Sequence, residues 1–282
     1  MPPMISMLLP TRARPALARR FLESAFKTCR NPAQVEIIMV IDDDDSSYGD
    51  FVCPFEKMQL LTVSPLTMSG YNRFAAEQSS GDILVLVNDD IIVESEGWDV
   101  AVRKMHESFD DGLYLGFPND GFKKSRLSVF PILSRRTFDN FDVLPEIYLG
   151  AFIDTHLHEI FRFLRAQGHD RISYLADVKF THHHYRVTKT TPDDTYTRRD
   201  RFGDDKTFLL HIKARHNISL NMKRFIEVGD ISKSQESTQV MQTWIASLCH
   251  YLFACPERMR YRVGQVGYLI FRLIYKAFFV RN

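Results

Sequence analysis

Val87-Asn88-Asp89-Asp90 sets two adjacent carboxylates directly after the aliphatic run Ile83–Val87. Hard divalent cations take oxygen ligands, and Mg²⁺ or Mn²⁺ usually binds one or two protein carboxylates together with substrate phosphates. The plainer reading is a strand-to-turn junction, because Asn and Asp are favoured turn residues. Polar stops also follow two earlier apolar runs: Pro10-Thr11-Arg12 after Ile5–Leu9, and Asp42-Asp43-Asp44-Asp45 after Val35–Ile41. Four successive aspartates read most plainly as a solvated acidic turn. Asp154 stands where a helix is expected to start, a place where Asp commonly serves as an N-cap. His182-His183-His184 close a short strand-like segment, and period-2 alternation sends His182 and His184 to one side and His183 to the other. His156 and His158 are too few and too differently placed to make a zinc site with Asp154. Arg186, Lys189, Arg198, Arg199 and Arg201 stud a charged, turn-rich stretch. Such cations can stabilise developing negative charge; their bland alternative is simple solvation.

The elements that must position these residues are legible from periodicity. Strands are expected at Ile5–Leu9, Val35–Ile41, Gln59–Val63 and Ile83–Val87. Helices are expected over Pro15–Cys29, from Gly70 to about Gln78, and after Trp98. Near-continuous apolar strands alternating with helices predict a mostly parallel sheet covered on both faces. Open sheets of this kind bind ligands beyond the carboxyl ends of their strands, where the three polar clusters lie. Later strands are expected at Leu113–Phe117, Val129–Leu133, Ile172–Leu175 and Val178–Phe180, with a long helix from about Asp154 to Gly168. The segment from about 186 to 206 reads as a mobile loop. From about Gln235 two amphipathic stripes follow: Val240, Met241, Trp244, Ile245, Leu248, Tyr251 and Leu252, then Val266, Leu269, Ile270, Leu273, Ile274, Ala277 and Phe278. Arg258, Arg260, Arg262, Arg272, Lys276 and Arg281 surround the second stripe, against Glu257 alone.

Composition bounds the rest. Lys and Arg number 36 against 35 Asp and Glu in 282 residues, a formal charge of +1, so no global field marks a nucleic-acid binder. Cys29, Cys53, Cys249 and Cys255 show no C-x-x-C spacing, which suits reduced thiols. The N-terminus lacks the basic and long apolar regions of a signal peptide, and no uncharged apolar run reaches ~18 residues, the length of a membrane span. The expectation is a cytoplasmic protein, free or held at the cytoplasmic face of a membrane from one side.

Taken in order, Pro10-Thr11-Arg12, Val40-Ile41-Asp42-Asp43, Gly70-Tyr71-Asn72 with Ala75-Ala76, Gly81-Asp82-Ile83-Leu84, Val87-Asn88-Asp89-Asp90 and Gly97-Trp98 resemble the nucleotide-sugar domain of GT-A glycosyltransferases, particularly inverting family 2. The resemblance covers roughly residues 4–100. It implies an α/β, Rossmann-like GT-A catalytic domain over 1–232, with a nucleotide-sugar half (1–100), an acceptor half (101–232) and a C-terminal helical extension (233–282). It further implies a metal-dependent, inverting transfer from a nucleotide-diphosphate sugar to a hydroxyl of a glycan or lipid-linked acceptor. Pro10, Thr11, Arg12, Asp42, Asn72 and Asp89 would bind the donor. Asp90 would hold Mn²⁺ or Mg²⁺, with His184 first and His182 second as the histidine near the metal or diphosphate. Arg186, Arg198 and Arg199 would clamp the diphosphate. Asp154 would be the base that deprotonates the acceptor hydroxyl, with Glu146 and Glu159 as competitors.

The chain departs from the family pattern at Asn88, where an acid is usual, and at Ile153, which replaces the Glu of a Glu-Asp pair. Two other classes therefore stay open: a nucleotidyltransferase, although Pro10–Pro15 holds no glycine, and an inactive binding module of the same fold. The C-terminal helices have three readings: peripheral membrane contact through 240–282, a homodimer contact, or packing on the catalytic domain.

Overall fold

The computed structural model describes residues 2–183, 202–229 and 243–279. Strands β1 (Ile5–Pro10), β2 (Val35–Asp42), β3 (Lys57–Val63) and β4 (Ile83–Leu86) pair in parallel in the order β3-β2-β1-β4. The chain winds outward from β1 to β3 and then returns to the other side of β1, so the winding direction reverses between β1 and β4. Such a switch point opens a crevice at the carboxyl ends of the strands.

Every residue of β1, β2 and β4 is buried, because alternate side chains feed two cores. Ile5, Met7, Leu9, Ile37, Met39 and Val85 meet Phe21 and Leu22 of helix α1 (Pro15–Thr28) and Trp98 and Val102 of α3 (Trp98–Glu107). Leu8, Ile38, Val40, Leu84 and Leu86 meet Ala75 and Ala76 of α2 (Met68–Gln78). This two-sided burial is why the strands read as unbroken apolar runs. Gly81, just before β4, is obligatory. A Cβ there would sit 2.3 Å from Ser6 Oγ and 2.9 Å from the Met4 carbonyl. The Gly81 N–H instead donates to Ser6 Oγ and to the buried Glu36 carboxylate.

The second half of the sheet departs from the expected parallel pattern. β7 (Ile132–Ser134) runs antiparallel to β4, β6 (Leu115–Asn119) antiparallel to β7, and β5 (Ile91–Val93) antiparallel to the end of β8 (Ile172–His182); β6 and β8 are parallel. The sheet thus curls as β3-β2-β1-β4-β7-β6-β8-β5 and is only approximately parallel overall. The two strands expected at 172–175 and 178–180 are one. Exposed Ala176 and Asp177 sit at a bulge, where the partner register jumps from Pro118–Leu175 to Asn119–Lys179.

Helix α4 (Arg135–Asn140) is short, and α5 (Ile153–Ala166) packs Leu157, Ile160, Phe161 and Leu164 under the sheet. Two helices were not anticipated. These are α6 (Asp204–Leu210), which begins inside the segment read as a loop, and α7 (Ile212–Val228). The tail forms α8 (Trp244–Cys249), a wide helical turn (His250–Ala254) and α9 (Met259–Phe279). Tyr251, Cys255, Val266 and Leu269 of this tail share a core with Tyr148, Phe152, Phe163, Phe208 and Ile212. The second stripe read from the sequence is therefore divided: Val266 and Leu269 are buried, whereas Ile270, Ile274 and Phe278 are exposed. Among the described residues no helix is long and apolar enough to cross a membrane.

Several buried histidines give the fold an acid limit. Burial holds His158 down at about 4 and His156 well below its ordinary value. His216, whose Nδ1 lies 3.0 Å from His250 Nε2, is also held at about 4, chiefly by burial. A histidine with a depressed folded pKa contributes stability that is full above its unfolded pKa of ~6.5 and is lost as pH falls toward the folded value. We expect the melting temperature to drop between pH 7 and pH 5, with His158 alone accounting for of order 2 kcal/mol by pH 5. Melting curves of the wild type and His158→Leu across that range check this; the variant should show the shallower pH dependence.

Candidate active site

A cavity of about 510 Å³ opens at the β1/β4 switch point. One wall is Pro10, Thr11, Arg12 and Arg14 after β1, and the floor is Leu86–Asp90 after β4. Met68, Tyr71 and Asn72 of α2 form a second wall. The far side is Val129–Pro131, the loop Leu149–Phe152, Ile153 and Asp154 of α5, and His182 at the end of β8.

The two floor carboxylates have separate settings. Asp89 accepts from Thr11 Oγ1 (2.8 Å) and from Arg14 Nη1 (3.2 Å), and Thr11 Oγ1 also lies 2.7 Å from Tyr48 Oη. Burial pushes Asp89 up to about 6, with Arg14 opposing that rise and Asp90 adding to it. Asp90 Oδ1 is 3.2 Å from His182 Nε2, and the Asp90 carbonyl accepts from the His183 N–H at 2.8 Å. Both carboxylates are only 4% exposed although they border open space.

The four successive aspartates also separate. Asp42 is buried behind the cavity wall, where it accepts from Tyr71 Oη and pairs with Arg12. Asp43 accepts from Ser64, Asp44 from Arg12 (2.8 Å), and Asp45 caps the turn at Ser47 while accepting from the Ala13 N–H. Only Asp42 lies against the side chains of the cavity wall from behind with its own side chain buried. Asn72 donates from Nδ2 to the Met68 carbonyl, and its buried Oδ1 has no hydrogen-bond partner among the described residues.

Asp154 does not cap α5. The capping position belongs to Phe152, which has φ +67° and no side-chain cap bond, so Asp154 lies inside the first turn. Its Oδ1 accepts from the Thr155 N–H at 2.7 Å. Its competitors are placed elsewhere. Glu159 is buried against Arg215 and Tyr251, while Glu146 is largely exposed beside Arg73. Of the three, Asp154 borders the cavity.

Backbone conformation marks the same place. Among the described residues the non-glycine positions with positive φ are Ala13, Lys124, Phe130 and Phe152. Phe130 and Phe152 line the cavity and Ala13 lies between two residues that do. A bulky side chain in the left-handed region is uncommon and persists only where its surroundings hold it, a feature concentrated at functional sites. At Phe152 the holding group is Asp204. Its carboxylate accepts from the N–H groups of Leu149, Gly150 and Ala151 at 2.7–2.9 Å. Neighbouring Asp205 pairs with Arg272 of α9 at 2.5 Å.

The structure thus brings Pro10, Thr11, Arg12, Asn72, Asp89, Asp90, Asp154 and His182 to one cavity, with Asp42 behind Arg12 and Tyr71. His184, Arg186, Lys189, Arg198, Arg199 and Arg201 lie outside the described residues. Arg14, Tyr48 and Asp204 were not singled out from the sequence. Asp204-Asp205 does follow a glycine, as carboxylates in the first turn of a helix often do, but nothing local tells which backbone amides they meet.

Among the described residues no group of three or more His, Cys, Asp or Glu side chains forms a ready-made metal cage. A Mg²⁺ or Mn²⁺ site completed by substrate phosphates needs only one or two carboxylates. Asp90, with Asp89 beside it on the cavity floor and His182 Nε2 3.2 Å from its Oδ1, fits that requirement.

No protein-family model matches the chain, and no curated protein matches it. Solved structures do. Staphylococcus (S. aureus) TarS aligns with 96% of this chain at 16% identity and a TM-score of 0.55, and the chain spans about half (53%) of the length of that structure. TarS 1-349 in complex with UDP-GlcNAc aligns with 97% of the chain, and 92% of its own, at 14% identity and TM-score 0.55. A mannosyltransferase, PcManGT from Pyrobaculum calidifontis, in complex with GDP-Man and Mn²⁺, aligns with 100% of the chain, and 89% of its own, at 11% identity and TM-score 0.55. The chain has the fold of GT-A glycosyltransferases.

Proposed function

We propose that the protein transfers a sugar from a nucleotide-diphosphate sugar to a hydroxyl group of a glycan or lipid-linked glycan, with inversion at the anomeric carbon. The observation that carries this reading is the single cavity in which Asp90 and Asp89 face Asp154 across the β1/β4 switch point, on a fold that binds UDP-GlcNAc in one similar structure and GDP-Man with Mn²⁺ in another. Residues 1–100 hold the donor. Arg12, oriented by Asp42 and Asp44, and Tyr71, held by Asp42, border the base and ribose. The buried Oδ1 of Asn72 accepts from a donor hydroxyl. Asp90 would hold a Mn²⁺ or Mg²⁺ ion, with Asp89 and His182 the other donors nearby. When bound, that ion neutralises charge on the departing diphosphate.

Residues 101–232 supply the acceptor side. Asp154 accepts the proton of the acceptor hydroxyl, and that oxygen bonds to the anomeric carbon as the bond to the diphosphate breaks on the opposite face. Asp204 positions the 149–152 loop that leads into Asp154, and Arg14 orients Asp89. A reaction with nucleotide sugar, acceptor glycan and Mn²⁺ tests this reading. It expects release of nucleoside diphosphate that stops on chelation and in Asp90→Ala. Release that continues unchanged in that variant would remove Asp90 from the site.

A further inference from the structure

Among the described residues, helix α9 packs one side on the domain and leaves much of the other exposed. Buried Val266 and Leu269 face the core shared with Phe208, and Arg272 reaches Asp205. The opposite side carries Val263, Tyr268, Ile270, Phe271 and Ile274, all 40–63% exposed, with Tyr275 resting against Phe202, and ends at Phe278, 78% exposed. Gly264 and Gly267 lie on this side too, and a Cβ at either would meet nothing within 4 Å. From 263 to 275 the face spans about 18 Å of helix without a charged side chain. An apolar patch of this kind on a protein surface marks an interaction site.

Charge selects the occupant. Arg258 and Arg260 stand exposed at the start of the helix, and residues 258–282 contain no acidic residue. A symmetric contact with a second copy sets the same patch against itself. It would place these cations opposite one another with no carboxylate on the helix to offset them. An anionic lipid surface supplies the missing charge, and Tyr268 and Tyr275 are of the residue type enriched where apolar and wet zones meet. The helix does not meet the criteria for a span, so contact from one side is the geometry available.

We propose that the exposed face of α9 lies in the headgroup region of an anionic bilayer, with Phe271, Ile274 and Phe278 inserted and Arg258 and Arg260 on the lipid phosphates. The inference is independent of the glycosyl-transfer reading; together the two favour an acceptor displayed on a membrane. The test is sedimentation of the full chain with phosphatidylcholine vesicles with and without phosphatidylglycerol, beside light scattering and melting curves. We expect binding to the anionic vesicles at least about tenfold stronger than to the neutral ones and weakened by salt. Phe271→Glu with Ile274→Glu, both at exposed positions, should abolish it at an unchanged melting temperature. Equal binding by that variant, or no binding by the wild type, overturns the proposal. A wild-type dimer that the same pair breaks assigns the face to a second copy instead. Donor-induced stabilisation measured on the same variant reads the catalytic proposal separately, so either can fail alone.

Discussion

We expect Asp154→Asn to lower the turnover of sugar transfer by roughly 10²–10⁴-fold, the range set by loss of a positioned general base, and to leave donor affinity within about twofold. The size follows from position. Asp154 borders the cavity from the first turn of α5, and the amide that replaces it keeps the shape but cannot take the acceptor proton. The split between turnover and affinity separates this role from that of Asp90, whose loss weakens the donor complex itself. Single-turnover transfer together with a donor titration makes the measurement. Turnover unchanged in the variant would move the base elsewhere.

Arg215→Met lowers stability by about 3–5 kcal/mol, the range for breaking a buried ion pair. Arg215 is fully buried: Nε donates to Glu159 at 2.5 Å, Nη1 to the Phe208 carbonyl at 2.7 Å, and Nη2 to Tyr251 Oη at 3.1 Å. Glu159 also accepts from Tyr251 Oη at 2.7 Å and from Tyr261 Oη at 3.3 Å. One carboxylate on α5 thereby ties together α7, the wide turn after α8 and α9. Removing the guanidinium leaves that carboxylate buried without its counter-charge. Arg215→Met combined with Glu159→Gln should recover part of the loss, which a denaturation double-mutant cycle reads directly. Equal losses in the single and double variants would mean that the cost is packing rather than charge.

The parallel half of the sheet was legible because each strand there is buried on both faces and so writes an apolar run. Its ends were legible because a polar cluster must follow such a run. The antiparallel half was less so. A three-residue strand such as Ile91–Val93 is too short for any period, and the direction in which Ile132–Ser134 runs is decided by its partner. Helix α6 went unread because its first residues, Asp204–Lys206, fell inside the charged segment read as a loop, and α7 because cations dilute its apolar spacing.

Within the site, residue types and strand ends pointed to Thr11, Asp89, Asp90 and Asp154. They could not show that Arg14 and Tyr48 fix Asp89 and Thr11, nor that Asp204 holds the loop before Asp154. Those are contacts across 34 to 75 residues of chain, set by tertiary packing alone. The capping role open to Asp154 was settled by backbone geometry at Phe152, which no residue pattern announces. The tail shows the same limit. Val240 and Met241 of the first stripe lie outside the described residues and its Ile245 is exposed; which part of the second stripe faces the domain depends on Tyr251, Tyr261 and Arg272 finding Glu159 and Asp205.

The most direct test of the central claim is the melting temperature of the protein across a panel of nucleotide-diphosphate sugars, each with and without Mn²⁺. A ligand that binds only the folded state stabilises it by ~2.7 kcal/mol at a hundredfold excess over its dissociation constant. The account predicts a clear upward shift with at least one nucleotide sugar, larger with Mn²⁺, and lost in Asp90→Ala. No shift with any nucleotide or nucleotide sugar, in a protein that melts cooperatively, would contradict it.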